Sequence, residues 1–193
     1  MTNNNTARPA PGTVAARAVE ILAAICADPE YRAFEAATLE YSDDWQCFTG
    51  FPVISRWNLE ADAPALLVEG LRALAVKAAV YEMTGDEHAA EVPVAVPVDE
   101  MTHAMIAQPQ LLARIAGRIG VSVIHQTDQE CTAYEPGDYT HQVYTAAWGD
   151  PHPRFWLGRT ETDRRVKILS ARYQSIGLER SGREHSIDFA TTA

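Results

Sequence analysis

The chain has 193 residues, an apolar share of 47% and a net charge of -10, which together indicate a globular domain with a substantial core. The acidic excess argues against nonspecific binding to nucleic acid, because phosphates are repelled by an acidic surface. Three cysteines are present, Cys26, Cys47 and Cys131, and their spacing fits neither a disulfide framework nor a zinc knuckle. We therefore expect a reducing compartment, either the cytoplasm or a host cytosol into which the protein is delivered.

The first residues, Met1 to Gly12, are rich in Asn, Thr and Pro and lack the apolar stretch of a signal peptide. We expect a disordered leader over 1-12, a single domain over 13-178 and a C-terminal tail over 179-193. No apolar run approaches the roughly 18 residues that a membrane-spanning helix needs, so the sequence predicts no membrane partner.

Helical periodicity dominates the first two thirds of the chain. Apolar residues at helical spacing predict one helix beginning near Thr13, a second over about 29–41 and a long one over about 63–84. The long helix is apolar on nearly every side, which is typical of a helix at the centre of a core. A further helical block over about 99–118 is interrupted at Pro109, because proline begins a helix more readily than it continues one.

The periodicity changes after Gly120. Alternating apolar residues predict a strand over 121–125, and three more strands are expected over about 142–148, 154–158 and 165–173, separated by turn-rich segments. Helices followed by a meandering sheet predict an α+β fold in one domain.

The segment DDWQCF, residues 43–48, holds the cysteine whose neighbours best suit catalysis. A thiol attacks as the thiolate, whereas a free cysteine with a pKa of about 8.5 is mostly protonated at neutral pH. Asp44 and Gln46 place a carboxylate and an amide beside Cys47, where an oxyanion needs oriented donors. The alternative is that Cys47 is a small apolar side chain packed between its aromatic neighbours.

The order of these elements resembles the ovarian-tumour (OTU) family of cysteine peptidases, most of which act as deubiquitinases. Residues 44–47, Asp-Trp-Gln-Cys, keep the first and last positions of the family's Asp-Gly-Asn-Cys segment. Leu71-Arg72 matches the Leu-Arg pair that opens a family helix, and 111–116 leading into 121–126 is similar to its next helix and strand. The run 166–176 is similar to the strand that leads into the family's catalytic histidine segment.

The resemblance implies an OTU-like fold of the papain-like superfamily, with helices packed on a small mixed sheet, and it implies no cofactor. It also implies that Cys47 attacks the carbonyl of the C-terminal glycine of ubiquitin or a ubiquitin-like modifier, while Asp44 and Gln46 shape the oxyanion site. The acidic first half of the chain would complement the basic tail of ubiquitin.

The family's general-base histidine falls on Arg172, which Tyr173 and Gln174 follow. Arginine stays protonated in proteins and cannot take the thiol proton. His141 and His152 are the alternative bases. Two alternative functions stay open: a catalytically impaired OTU-like protein that binds ubiquitin or another protein, and an unrelated acidic interaction or inhibitor protein.

A metal site has one partial signal. Glu100 and His103 share a face of the predicted helix at a spacing that metal ligands use, but a carboxylate-bridged site needs a second such pair, which the sequence lacks. The resemblance places His125 at a position that is not catalytic in the family. We therefore expect no metal.

The thiol-peptidase hypothesis predicts a covalent adduct with a ubiquitin that carries a thiol-reactive electrophile at its C-terminus. The adduct should be lost in Cys47→Ala, because the Cys47 thiolate is the nucleophile. An Arg172→His variant then tests whether position 172 is that of the base. A lack of adduct, together with no binding of ubiquitin in a titration, would exclude the hypothesis.

Overall fold

The chain forms a helical structure in a computed structural model that describes residues 7–44, 51–125, 133–175 and 184–192. Its helices in chain order are α1 (Pro11–Ala27), α2 (Tyr31–Asp44), α3 (Leu59–Thr84), α4 (Glu87–Ala90), α5 (Val96–Ile106), α6 (Pro109–Ile119), α7 (Tyr139–Trp148) and α8 (Arg159–Ser175), with a 3-10 helix at Phe51–Val53. The described residues contain no β-strand, and an isolated bridge pairs Asn58 with Glu184.

Helix α3 is the element on which most of the other helices pack, since α1, α2, α4, α5 and α7 all contact it. Asn58 caps its N-terminus by accepting a hydrogen bond from the Ala61 N–H at 2.9 Å. Gly85 ends it in the left-handed region, with a φ of 64°. The sequence-based prediction of a long central helix is thus confirmed, as are the earlier helices and the interruption at Pro109.

Helix α5 lies close to α3 because Gly70 has no side chain. A Cβ atom at Gly70 would come within 2.8 Å of the Met105 Cε and 3.2 Å of the Met101 Cγ. Both methionines are fully buried. The close approach packs Met101 and Met105 of α5 directly against the core helix.

The predicted sheet is wrong, and with it the α+β, OTU-like fold. Residues 142–148 lie within α7, and residues 165–173 lie within α8. The segments 121–125 and 154–158 do not pair with another strand in the described parts of the chain.

Helical burial patterns explain why both predicted strands are helices. In α7, Asp138 is the N-cap and accepts a hydrogen bond from the His141 N–H at 2.8 Å. The buried residues that follow have helical spacing: Thr140, Val143 and Tyr144. In α8, Leu169 and Tyr173 are buried four residues apart, on one face of the helix. Packing of these faces outweighs the strand preference of Val, Ile and Tyr, which depends strongly on context.

Both ends of the described chain pack on the helices. Near the start, the Arg8 guanidinium donates to the carbonyl oxygens of Ala89 at 2.9 Å and Glu91 at 3.2 Å. Near the end, Phe189 is 1% exposed in a small apolar cluster with Val53, the last residue of the 3-10 helix, and with residues of α8. Within the described ranges, no helix combines the length and the apolar character needed to cross a bilayer.

The burial pattern of α3 predicts a sharp contrast between two neighbouring residues. Leu67 is 1% exposed and Val68 is 38% exposed. Leu67→Ala should lower the free energy of unfolding by about 2–5 kcal/mol, because it leaves a cavity in the core. Val68→Ala is the control and should change it by less than about 1 kcal/mol. Urea unfolding measures both, and equal effects would contradict the burial of Leu67.

Candidate metal centre

The predicted nucleophile lies outside the described residues. Cys47 and Gln46 belong to the range 45–50, and Asp44 is the last residue of α2. Catalysis by Cys47 and hydrolysis of ubiquitin therefore stay predictions.

The segment matched to the family's histidine is part of helix α8 and does not follow a strand. Arg172 is exposed on this helix, and its carbonyl oxygen accepts a hydrogen bond from the Ser175 hydroxyl. Tyr173 is 8% exposed and packs in the small apolar cluster. Gln174 follows in the same helical turn. The helical geometry removes the structural basis on which Arg172 was aligned with a catalytic base.

The two alternative bases have local partners. The His141 Nδ1 lies 2.8 Å from the buried Tyr134 hydroxyl. The His152 Nδ1 accepts a hydrogen bond from the Arg154 N–H at 3.1 Å, and its ring lies beside Phe155. Both contacts are with residues close in sequence, which is typical of histidines that stabilise local structure.

Three other polar side chains meet between α5 and the segment that follows α6. One ligand atom from each of Asp99, His103 and His125 lies within 4.8 Å of the other two. The Asp99 Oδ2 and the His103 Nε2 are 3.5 Å apart. The rings of His103 and His125 meet edge to face, with centroids 4.8 Å apart. Asp99 is 5% exposed, so the group lies largely beneath the surface.

Local structure accounts for this convergence. Asp99 and His103 are four residues apart on α5, so their side chains share one helix face. His125 arrives from a different direction, because α6 ends at Gly120 in the left-handed conformation, with a φ of 72°. The Val121 N–H donates to the Ala116 carbonyl at 3.0 Å, which turns the chain away from the α6 axis.

A buried ion pair adjoins the cluster. Lys77 of α3 is 1% exposed and is paired with Glu91, which is 6% exposed. The Lys77 Nζ also lies 3.3 Å from the His125 Nδ1. Since an ammonium group only donates hydrogen bonds, Nδ1 of the neutral imidazole accepts this one.

The environment of His125 keeps its imidazole neutral. Burial, with further contributions from Lys77 and His103, lowers the pKa of His125 from its ordinary 6.5 to about 3. Its Nε2 is buried and has no hydrogen-bond partner among the residues that the structure describes. A buried nitrogen in this state is destabilising unless a ligand or water satisfies it.

A groove opens beside the cluster, with His125 in its wall. Its volume is about 420 Å³. The residues that line it come from the end of α5, from α6 and from the segment after α6: Ile106, Pro109, Leu112, Ala113, Ala116, Ser122, Val123 and His125.

The sequence pointed to His103 and its neighbour Glu100, but it did not point to Asp99 and His125, the other two residues of the cluster. The Asp-x-x-x-His spacing of Asp99 and His103 on a predicted helix was the available signal. His125 gave none, because it reaches the cluster only through the turn at Gly120 and the packing of α6. The Glu100 Oε2 lies 3.9 Å from the His103 Nδ1, so it neighbours the cluster.

No known family model, no curated protein and no solved structure matches this chain.

The pKa of His125 predicts a pH-dependent stability. As the pH falls from about 6.5 to about 3, the unfolded chain protonates this imidazole while the folded chain does not, so stability falls in this window. The His125→Asn variant, studied without metal, lacks this imidazole, so its free energy of unfolding should fall less over the same pH range. Urea unfolding of both proteins at several pH values measures the difference, and parallel curves would contradict the neutral, buried imidazole.

Proposed function

We propose that the protein binds a divalent transition metal ion through Asp99, His103 and His125 and uses the remaining coordination positions for a metal-dependent reaction. The observation that carries this proposal is the convergence of one carboxylate and two imidazoles within 4.8 Å at a largely buried position.

The ligand set is one that transition metals prefer. Two histidines and one carboxylate hold zinc in many hydrolytic sites and iron(II) in many oxygenases, with open positions for water or substrate. Ligand atoms around tetrahedral zinc are separated by roughly 3.3 Å, given bond lengths of about 2.0 Å. The 3.5 Å between the Asp99 Oδ2 and the His103 Nε2 supports a shared ion, and His125 needs only a small movement. When bound, the metal would act as a Lewis acid that activates water or polarises a substrate oxygen.

Formal charges also favour a dication. Asp99, Glu100 and Glu91 contribute three negative charges, and Lys77 contributes one positive charge. Apart from the two imidazoles, these side chains sum to two negative charges in a partly buried setting. A divalent cation would balance them, which lowers the penalty for keeping like charges out of water.

Neighbouring residues would orient the ligands. With the His103 Nε2 on the metal, its Nδ1–H would face the Glu100 Oε2, which lies 3.9 Å away, and a small movement would form the hydrogen bond by which a carboxylate fixes the tautomer of a metal-binding histidine. With the His125 Nε2 on the metal, the proton on that nitrogen is released. Lys77 would stay paired with Glu91 and would keep its contact with the His125 Nδ1.

Calorimetric titration with Zn²⁺ tests the site. Wild-type protein should bind one ion per chain, and His103→Asn should weaken binding by more than about 100-fold, because it removes a ligand. His88→Asn is the matched control, since His88 is exposed and lies outside the cluster. Circular dichroism confirms that each variant is folded. Equal zinc binding by all three proteins would contradict the proposal.

Glu100→Gln tests the orienting role separately. Glutamine keeps the shape of the side chain but accepts the His103 Nδ1–H less strongly than a carboxylate does. Zinc affinity should fall by about 10–100-fold, which is less than the loss in His103→Asn. An unchanged zinc affinity would show that Glu100 does not orient His103, and it would not affect the assignment of the three ligands.

A further inference from the structure

We propose that the groove beside His125 binds a small apolar molecule whose single polar group coordinates the metal ion. This inference rests on the proposed metal site, because the polar group would occupy an open coordination position.

The lining of the groove has a one-sided polarity. Of the eight described residues that line it, the two with polar side chains, Ser122 and His125, belong to the segment after α6. The lining residues from α5 and α6 are all apolar, among them Ile106 and Leu112. An elongated ligand with an apolar body and one polar end matches this distribution, because its polar end would lie near His125 and its body would lie along α6.

The size of the groove selects the class of ligand. A volume of about 420 Å³ falls within the range of roughly 300–1,000 Å³ that is typical of small-molecule sites. A protein or nucleic-acid partner needs a much larger contact area than such a groove offers. The groove therefore fits a single small molecule with an alkyl or aryl body.

Helix α6, which lines one side of the groove, is held in place by contacts on two of its faces. Its inner face is anchored by Ile115, which is 1% exposed. On its outer side, Arg114 pairs with Glu30 at 2.7 Å and Arg118 pairs with Asp28 at 2.7 Å. These contacts hold α6 against the turn between α1 and α2, so the α6 side of the groove is in place before a ligand binds, and less ordering is required on binding.

Two hydroxamic acids with the same head group test this inference. Protein loaded with Co²⁺, whose visible absorption reports on its ligands, is titrated with octanohydroxamic acid and with acetohydroxamic acid. Both should shift the cobalt spectrum. The longer compound should bind at least about tenfold more tightly, because its additional methylene groups are buried in the groove.

Filling the groove should remove the advantage of the longer chain. Ala113 lines the groove and is exposed to its space, so Ala113→Trp should occupy the ligand's volume. This variant should keep cobalt and acetohydroxamic acid binding and lose the tenfold gain. Gln110→Trp places the same side chain on an exposed position of α6 outside the groove and should behave like wild type.

The outcomes separate the two proposals. Cobalt binding with equal affinity for the two hydroxamic acids, or a gain that persists in Ala113→Trp, would overturn the groove proposal and leave the metal site intact. Failure of wild-type protein to bind cobalt at all would overturn the metal site, and the groove proposal would fall with it.

Discussion

The buried charge of Lys77 is the constraint around which this region is built. Removing an ammonium group from water costs several kcal/mol unless a partner compensates, and Lys77 sits on the central helix with only 1% of its surface exposed. Glu91 supplies the compensating charge, which ties α3 to the buried connection that leads into α5. Because the same ammonium group also contacts His125, one buried cation holds together three separate parts of the chain.

The candidate metal centre follows from that arrangement. Gly70 lets α5 approach α3 through Met101 and Met105. Asp99 and His103 lie on another face of α5, where the His103 ring meets the ring of His125, a neighbour of Lys77. Helix α6 then returns the chain so that His125 completes the group. Each ligand is thus held by a helix or by a contact with the core, which limits the movement that metal binding requires. In our proposal, the groove along α6 admits a small ligand to this centre.

Much of the helical half was predictable from sequence, because the apolar pattern of α3 and the proline and glycine boundaries are local signals. The second half was not, because Val166, Ile168 and Tyr173 favour strands when they are considered alone and become helical through packing that involves distant residues. The resemblance to OTU peptidases depended on those expected strands. At the candidate metal centre, the four-residue spacing of Asp99 and His103 on a helix was predictable from the sequence. His125 lies in a different segment and joins them only in the folded chain.

X-ray absorption spectroscopy of the zinc-loaded protein is the most direct measurement of the central claim. Our account predicts a first shell of nitrogen and oxygen only, with the outer-shell scattering of two imidazole rings. A sulfur ligand would mean that a cysteine binds the ion instead, and a shell of oxygen without imidazole scattering would mean that zinc binds only to surface carboxylates and water. Either result would contradict a centre formed by Asp99, His103 and His125.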